Sequence, residues 1–334
     1  MTIEELEDEL SRPAPADREL MRSLAGDIMI LGAGGKMGPT LALRARRAAD
    51  EAGSSRRVFA VSRFADPDAR CTLERDGVET ISCDLLDPAQ LARLPECPNI
   101  LFLAGRKFGS TENQPLTWAT NVLLPAWVAA RFRGSRIVAL SSGNVYPLLP
   151  QPATEATPPA PVGEYAQSVL GRERVFEYFS ARDATPVVLI RLNYAIDLRY
   201  GVLVDIGRRV FAREPVPLAM GSVNVIWQGD ANSICLRALA LAASPPLVLN
   251  VTGPDVLRVR WIAERFGEIF GVEPQFAGSE APTALLSDSS LCCRLLGPPP
   301  TSPLQMIEMA AAWIRSGGAT LGKPTHFEVR DGAF

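Results

Sequence analysis

Short runs of apolar residues alternate with longer amphipathic stretches up to Leu192. The first run, Ile28 to Leu31, is wholly apolar and bounded by glycine, which is typical of a strand buried on both faces of a parallel sheet. Similar runs predict five more strands, at residues 57–62, 78–83, 99–105 (ending in a turn of small residues), 136–140 and 185–192. Because helical patterns separate these runs, the sequence predicts an α/β fold with a doubly wound parallel sheet.

Helical patterns surround and follow these strands. They are predicted at residues 3–10, 41–49, 118–131, 163–180, 204–213, 228–243 and 256–270. The pattern at 3–10 is strongly acidic, so we expect a solvated extension there, with packing on the domain or dimer contacts as the alternatives. Beyond the sixth strand the pattern loosens, and only short strands are predicted, at residues 223–227 and 247–251.

Three glycines follow the first strand at GxxGxxG spacing: Gly32, Gly35 and Gly38. Glycines in a strand–turn–helix context let the backbone approach a pyrophosphate, whose charge then lies at the helix N-terminus. A chance glycine-rich turn is the alternative. The sequence therefore predicts a dinucleotide-binding Rossmann domain at residues 26–193, which the chain re-enters near residues 223–251. An N-terminal extension (1–25) precedes it, and a smaller substrate-binding lobe comprises residues 194–222 and 252–334.

The end of the second strand carries Ser62 and Arg63, at the position where such folds select the cofactor. A carboxylate there binds the ribose of NAD, whereas a guanidinium accommodates the 2'-phosphate of NADP. We therefore expect NADP to be favoured. One alternative is NAD, because Asp66 or Asp68 lies close enough in sequence to bind its ribose. The other is that Arg63 is an ordinary solvated charge.

Asp84 follows the third strand, where it can either cap the next helix or bond an adenine amino group. The turn after the fourth strand contains the small residues Ala104 and Gly105, which allow close approach of the backbone to a cofactor. Lys107 follows this turn. Asn121 lies on the next predicted helix.

Composition narrows the function. The 334 residues carry a net charge of −3 and no apolar run of membrane-spanning length, so we expect no nucleic-acid or membrane partner and a cytoplasmic location. Six cysteines without a CxxC pair predict reduced packing residues and no metal site. The single histidine, His326, is near the C-terminus, so acid–base chemistry is expected to rest on Tyr, Lys or carboxylates.

The fifth strand runs into Ser141 and Ser142, and hydroxyls at this end of a strand lie at the ligand crevice of doubly wound folds. Tyr165 opens a later helix. A phenol there could exchange a proton with a substrate carbinol or carbonyl oxygen while a serine hydroxyl bonds the same oxygen.

Together these motifs resemble the extended short-chain dehydrogenase/reductase family, the NAD(P)-dependent epimerase/dehydratase group that acts largely on nucleotide sugars. The resemblance runs from Ile28 to Trp313. It rests on the glycine motif, Asp84-Leu85, Leu103 to Lys107, Asn121, Ser141 to Tyr146, Tyr165 to Ser168, Asn250 to Pro254 and Trp313.

The resemblance implies that Ser142 is the catalytic Ser/Thr and Tyr165 the catalytic Tyr, and that Lys107 faces a cofactor phosphate. Ser142, Asn144, Asn193 and Trp227 are the expected substrate contacts. The expected cofactor contacts are Gly32, Gly34, Gly35, Lys36, Met37, Gly38, Ser62, Arg63, Asp84, Leu85, Leu103, Ala104, Gly105, Lys107, Asn121, Ser141 and Tyr165.

The sequence departs from the family pattern YxxxK, because Val169 stands where the lysine would lower the pKa of Tyr165. A second departure is Arg191-Leu-Asn193, where many relatives carry the Asn one residue later. Lys107 or Arg172 could supply the missing charge, the reaction could need only an acid, or Tyr165 could be an ordinary aromatic.

We therefore expect an NAD(P)-dependent oxidoreductase or epimerase acting on a sugar-like or nucleotide-sugar substrate. The alternative is a catalytically impaired NADP-binding regulatory or sensor protein. The sequence leaves a homodimer open.

Overall fold

The computed structural model describes residues 1–65, 67–323 and 325–332, so Asp66, considered above for ribose binding, lies outside the described residues. The strands are β1 (Ile28–Leu31), β2 (Val58–Ser62), β3 (Glu79–Ser82), β4 (Asn99–Phe102), β5 (Arg136–Ser142), β6 (Val187–Leu192), β7 (Ala195–Ile196), β8 (Val216–Pro217), β9 (Ser222–Val223), β10 (Ile226–Trp227), β11 (Leu247–Val251), β12 (Leu257–Arg258) and β13 (Phe276–Ala277).

The helices alternate with these strands. They are α1 (Ile3–Ser11), α2 (Pro15–Ser23), α3 (Gly38–Glu51), α4 (Pro67–Arg75), α5 (Pro88–Ala92), α6 (Gln114–Trp118), α7 (Leu124–Arg131), α8 (Gly163–Asp183), α9 (Val202–Phe211), α10 (Gln228–Arg237), α11 (Val259–Phe270), α12 (Ser290–Leu296) and α13 (Pro303–Arg315). Among the residues the structure describes, no helix is both long and apolar enough to cross a membrane.

Seven strands form one parallel sheet in the order β11-β6-β5-β4-β1-β2-β3, which confirms the predicted doubly wound fold. The chain moves outward from β1 to β2 and β3, and then returns to β4 on the other side of β1. The strand order therefore reverses between β1 and β4. Ligands of open α/β sheets bind at the carboxyl ends of the strands at such a reversal.

The two faces of β1 explain its apolar run. Ile28 and Ile30 join the hydrophobic cluster that contains α3 and α10, whereas Met29 and Leu31 join the opposite cluster, which contains α7 and α8. Successive side chains of a strand point to opposite faces, so a strand covered on both sides must be apolar at every position.

A second core holds the C-terminal lobe together, and helices α9, α11 and α13 pack on one another within it. The strand predicted at 223–227 is interrupted here. Its first part, β9, pairs antiparallel with β12, and its last part, β10, pairs parallel with β7. The two halves have different partners, so they do not form one strand.

The prediction of a solvated N-terminal extension is wrong. Leu6 and Leu10 of α1 are fully buried in the C-terminal core, and Met21 of α2 is buried against the sheet core. Asp17 of α2 accepts a hydrogen bond of 2.6 Å from Nε of Arg44 on α3, and both side chains are buried. The acidic residues of α1 occupy its outer face, while leucines four residues apart form an inner one.

The helix predicted at 118–131 begins earlier and is interrupted. Helix α6 starts at Gln114, a π-helical turn covers residues 119–123, and α7 follows it. The turn contains the buried Asn121. π-helical turns within helices are frequent at functional sites.

Candidate active site

The glycine turn after β1 has a geometry that only glycine satisfies at two of its three positions. Gly32 has φ of +90°, and a Cβ there would lie 2.6 Å from the backbone N of Ala104. A Cβ on Gly38 would lie 2.4 Å from the carbonyl oxygen of Ala33. Gly35 differs, because its Cβ would meet nothing closer than the Gly32 oxygen at 3.4 Å. The space beside Gly35 is therefore open, as the binding of a pyrophosphate there would require. We call this space the cradle at Gly35.

Two neighbouring cavities lie along the carboxyl ends of the strands, of about 270 and 350 Å³. They share the glycine turn and the turn after β4, at Gly32, Gly35, Leu103, Gly105 and Arg106. An extended ligand that crosses these shared residues would have one end in each cavity. We name the first the reaction cavity and the second the adenine-side cavity.

Most of the predicted site residues line these cavities. In the reaction cavity they are Gly32, Gly35, Lys36, Met37, Gly38, Leu103, Gly105, Lys107, Ser141, Ser142, Asn144, Tyr165 and Asn193. In the adenine-side cavity they are Gly32, Gly34, Gly35, Ser62, Arg63, Asp84, Leu85, Leu103, Ala104 and Gly105.

The adenine-side cavity brings together the groups that the sequence assigned to the ribose and adenine. The Arg63 side chain is exposed at its edge. Asp84 does not cap the following helix: its Oδ1 accepts from Leu86 N (3.0 Å), and Asp87 accepts from the first amides of α5 instead. The helix-capping alternative for Asp84 is therefore wrong.

Lys36 joins the glycine turn to the C-terminal lobe. Its Nζ donates to the carbonyl oxygen of Ala195 (2.8 Å) and lies 4.3 Å from the centre of the Tyr200 ring. Burial lowers the pKa of Lys36 to about 7, although the nearby Asp197 carboxylate opposes this. The ammonium therefore loses its charge near neutral pH unless an anion binds beside it.

Ser142 and Tyr165 meet in the reaction cavity. Ser142 is the last residue of β5, Tyr165 lies in the first turn of α8, and their hydroxyl groups are in hydrogen-bond contact. Ser142 Oγ also donates to Oδ1 of Asn144 (2.8 Å), which lies in the short 3₁₀ turn after β5. A substrate oxygen placed between the two hydroxyls would contact both.

The charge environment of Tyr165 sets its protonation. Burial raises the pKa of Tyr165, and the positive charge of Arg172 and the hydrogen bond to Ser142 act in the opposite direction. Burial is the largest effect, so the phenol is protonated at neutral pH and is prepared to donate a proton.

Val169 lies in an apolar environment, with 1% of its surface exposed. It belongs to a small cluster with Val145, Tyr146 and Ala153, and it is absent from the lining of the reaction cavity. Packed hydrocarbon therefore surrounds position 169, where the resemblance implies a lysine.

Arg172, two helical turns after Tyr165, brings a positive charge to the same site. It is 4% exposed, and its guanidinium donates to the Leu140 carbonyl (2.6 Å) and to Oδ1 of Asn121 (2.8 Å). A Cβ on Gly105 would lie 2.7 Å from Nη2 of Arg172, so the glycine makes room for the guanidinium. Burial lowers the pKa of Arg172 to about 10, which leaves it charged at neutral pH.

Lys107 is the second cation near Tyr165. Its Nζ lies 5.9 Å from the centre of the Tyr165 ring, and burial lowers its pKa to about 8, opposed by the charge of Asp205. The two cations that the sequence offered in place of the missing lysine, Lys107 and Arg172, therefore both line the reaction cavity.

Ser141 lines the cavity, but its hydroxyl is engaged elsewhere. It donates to the carboxylate of Glu173, which is fully buried and paired with Arg191 at 3.0 and 2.7 Å. Arg191 also donates to the Tyr146 hydroxyl (2.7 Å). This buried ion pair fixes the ends of β5 and β6 beside Ser142. The Ser141 hydroxyl therefore has a structural role, because it bonds Glu173 of that pair.

Two predicted contacts lie away from the cavities. Asn121 is fully buried. Its Oδ1 accepts a hydrogen bond from Arg106 N, and its Nδ2 donates to Arg106 O and to Ser168 Oγ (2.9 Å each). It holds Arg172 and the turn after β4 in place, and it lines neither cavity. Trp227 is buried in the core of the C-terminal lobe, where its large apolar surface packs, so its prediction as a substrate contact is wrong.

Four further polar side chains line the reaction cavity that the sequence did not identify: Arg106, Tyr194, Tyr200 and Thr325. Arg106 and Tyr194 adjoin predicted positions, so proximity in sequence could have found them. Tyr200 and Thr325 carry no such signal, because only the folding of the C-terminal lobe brings them to the crevice. Among the described residues, no cluster of His, Cys, Asp or Glu could hold a metal ion.

The family model of the NAD dependent epimerase/dehydratase family matches residues 28–195. A comparison with curated proteins found no match. Similar solved structures include MoeE5 in complex with UDP-glucose and NAD (TM-score 0.67, 21% identity, covering 87% of this chain and 99% of that chain). Others are a UDP-glucose 4-epimerase of Thermus thermophilus with NAD (0.70, 18%, 86% and 99%) and a UDP-glucuronic acid 4-epimerase of Bacillus cereus with NAD (0.71, 16%, 87% and 99%). At such low identities the TM-scores show a shared fold alone.

Proposed function

The chain belongs to the NAD dependent epimerase/dehydratase family, as its motifs indicated, and we propose that it is an NAD(P)-dependent oxidoreductase or epimerase of a sugar-like substrate. The observation that carries this proposal is the contact between the Ser142 and Tyr165 hydroxyls in the reaction cavity beside the glycine turn. Proton exchange at a substrate oxygen is the chemistry that such a pair supports.

The residues of the crevice fit a dinucleotide. The cradle at Gly35 suits the pyrophosphate, the N-terminus of α3 would face its charge, and Lys36 would add a cation beside it. Ser62, Arg63 and Asp84 would hold the adenosine side. When bound, the nicotinamide would supply hydride exchange with a carbon atom of the substrate.

Tyr165 would exchange the proton at the oxygen on that same carbon. In the reducing direction the protonated phenol donates to the carbonyl oxygen; in the oxidising direction it must accept the carbinol proton, for which its high pKa is less suited. Ser142 orients the oxygen, and Asn144 fixes the Ser142 hydroxyl.

Arg172 is proposed as the cation that serves Tyr165 in place of a lysine at position 169. Its charge favours the ionised phenol, and its hydrogen bonds to Leu140 and Asn121 fix its position. Lys107, whose Nζ lies 5.9 Å from the centre of the Tyr165 ring, adds a second charge, and burial lowers its pKa to about 8.

We propose NADP as the preferred cofactor, because Arg63 and Ser62 line the adenine-side cavity at the end of β2. A guanidinium bonds a phosphate with charge-assisted hydrogen bonds and has no comparable partner on a bare ribose. The similar solved structures of MoeE5 and of the Thermus thermophilus epimerase contain NAD.

Substrate binding is assigned to the lobe predicted at 194–222 and 252–334, together with Asn144 and Asn193. Tyr194 and Tyr200 of that lobe line the reaction cavity. Amide and hydroxyl groups suit a polyhydroxylated ligand, since each can donate and accept hydrogen bonds.

The test is incubation of the protein with NAD or NADP and a panel of sugars, sugar acids and nucleotide sugars. Nicotinamide absorbance reports net oxidation or reduction, and product stereochemistry reports epimerisation, which leaves the absorbance unchanged. Turnover with either readout supports the proposal. Cofactor binding without any turnover would instead support the regulatory alternative.

A further inference from the structure

Resting on the proposed function, we infer that the substrate is a compact sugar derivative without a nucleotide, because residues 325–332 occupy the space beyond the reacting groups. We name these residues the C-terminal segment. Thr325 lines the reaction cavity, and His326, Val329, Arg330 and Gly332 line a smaller cavity beside it.

Little space is found on the side of the reaction cavity formed by Asn144 and Tyr194. A small second cavity, which shares Asn144 and Tyr194 with the reaction cavity, has a volume of only about 40 Å³. The C-terminal segment supplies four of its lining residues, His326, Val329, Arg330 and Gly332. A space of this size holds on the order of one water molecule, whereas pockets for larger ligands run to about 300 Å³ or more.

Arg330 closes this space. Its guanidinium donates to the carbonyl oxygens of Ala219 (3.1 Å) and Thr283 (2.7 Å), and to the Thr283 hydroxyl (2.6 Å). These partners lie on two separate loops of the C-terminal lobe. The arginine therefore ties both loops to the segment across the place where a longer substrate would continue.

The rest of the segment is fixed at both ends. The backbone and hydroxyl of Thr325 bond the carboxylate of Asp205, and the Phe327 side chain is buried in the core of the lobe. At the other end, a Cβ on Gly332 would lie 2.2 Å from the Val162 carbonyl oxygen, directly before the helix that carries Tyr165. Within the described part of the chain, the segment is therefore anchored against the C-terminal lobe and against the start of α8.

The reaction cavity has a volume of about 270 Å³. In the proposed function this space would hold the nicotinamide end of the cofactor as well as the substrate. The polar groups that face the remaining space are Asn144, Asn193, Lys107, Tyr194 and Tyr200. These groups suit the hydroxyls of one monosaccharide-sized molecule, either neutral or carrying a carboxylate.

The experiment compares two substrate classes with the full-length protein loaded with NAD or NADP. One class is UDP, UDP-glucose and UDP-glucuronate; the other is glucose, galactose, gluconate, glucuronate and galacturonate. Calorimetry reports binding, and absorbance with product analysis reports turnover. We expect turnover within the second class only, and a Kd for UDP weaker than about 1 mM. The neutral and acidic members show which kind of compact sugar is used.

Turnover of a UDP-sugar, or saturable binding of UDP at micromolar concentration, would overturn this inference while leaving the proposed function intact. Binding and turnover of neither class, with cofactor still bound, would overturn both.

Arg330→Ala should raise KM for the compact substrate about tenfold without changing the cofactor Kd, because the C-terminal segment loses its hydrogen bonds to the two loops. Thr283→Val, which removes only one acceptor of Arg330, should give a smaller rise, and Arg208→Ala on the exposed face of α9 should give none. An unchanged KM in folded Arg330→Ala would also contradict the inference.

Discussion

Replacing Arg172 with methionine removes a cation whose charge acts on the proposed acid–base residue, Tyr165, and keeps an unbranched, flexible side chain. The guanidinium lies 5.3 Å from the ring centre of Phe102, so a flexible thioether can retain much of that packing. The variant loses the hydrogen bonds to the Leu140 carbonyl and to Asn121 Oδ1, although Asn121 Oδ1 keeps its bond from Arg106 N. We expect a cost of about 1 to 3 kcal/mol in unfolding free energy, because buried acceptors lose charged partners while a buried charge is also removed.

The catalytic effect should depend on the direction of the reaction. The positive charge of Arg172 lowers the pKa of Tyr165 against the larger effect of burial, so its removal raises that pKa. Oxidation needs the deprotonated phenol. Its rate at pH 8 should therefore fall about tenfold or more, and the alkaline midpoint of the pH–rate profile should move to higher pH. Reduction needs the protonated phenol and should be less affected at neutral pH.

The assay is kcat/KM against pH in both directions for the wild type, Arg172→Met, Arg172→Lys and Arg174→Met. Arg172→Lys keeps the charge and should lie between the wild type and the methionine variant. Arg174→Met is the matched control, because Arg174 is exposed on the same helix and pairs with Glu177 at the surface. If folded Arg172→Met keeps the wild-type pH profile in the oxidising direction, the assignment of Arg172 as the replacement cation is refuted.

Three other substitutions test separate parts of the account. Arg63→Ala should abolish a preference for NADP over NAD of about tenfold or more, measured by titration with both cofactors, and equal affinities in the unmutated protein would refute the preference. Val169→Lys should lower Tm by several degrees without raising activity, because it places an ammonium in an apolar cluster close to Arg172; a stable and faster variant would contradict this. Leu10→Ala should lower the free energy of unfolding by about 2 to 5 kcal/mol in urea titrations, whereas a solvated helix would lose less than about 0.5 kcal/mol.

The sheet was predictable because its signal is local. The central strand β1 is covered on both faces and is a continuous apolar run, whereas the edge strand β3 is partly exposed and carries polar residues. Glycines mark the turn after β1, where backbone approaches backbone. The strands predicted up to Leu192 each have a counterpart in the sheet, with ends that differ by a few residues. The glycine turn, the hydroxyls of β5 and the start of α8 follow from the same reasoning.

The N-terminal extension was not predictable from its charge. Five acidic residues in α1 outweigh Leu6 and Leu10 in composition, yet the spacing of the two leucines is that of one buried helical face. Carboxylates on the other face pair with arginines of the domain, as Asp8 does with Arg47 at 2.7 Å. Spacing was the more reliable signal here.

The outer wall of the site was also beyond sequence reasoning. Thr325 and Arg330 follow Lys107 by more than 200 residues, in a stretch with neither strand nor helical periodicity. Their positions depend on tertiary contacts with Asp205 and Thr283, which no local pattern encodes. The same holds for Arg172, because its place in the site depends on tertiary contacts with Gly105 and Asn121, which are distant in sequence.

The most direct test of the central claim is Tyr165→Phe, which removes one hydroxyl and preserves the ring. The account predicts that the Kd of NADP and NAD stays within about twofold, while turnover of the best substrate falls about 100-fold or more, the usual scale of general acid–base catalysis. Full activity in Tyr165→Phe, with a cofactor affinity equal to that of the wild type, would contradict the assignment of Tyr165 as the acid–base residue.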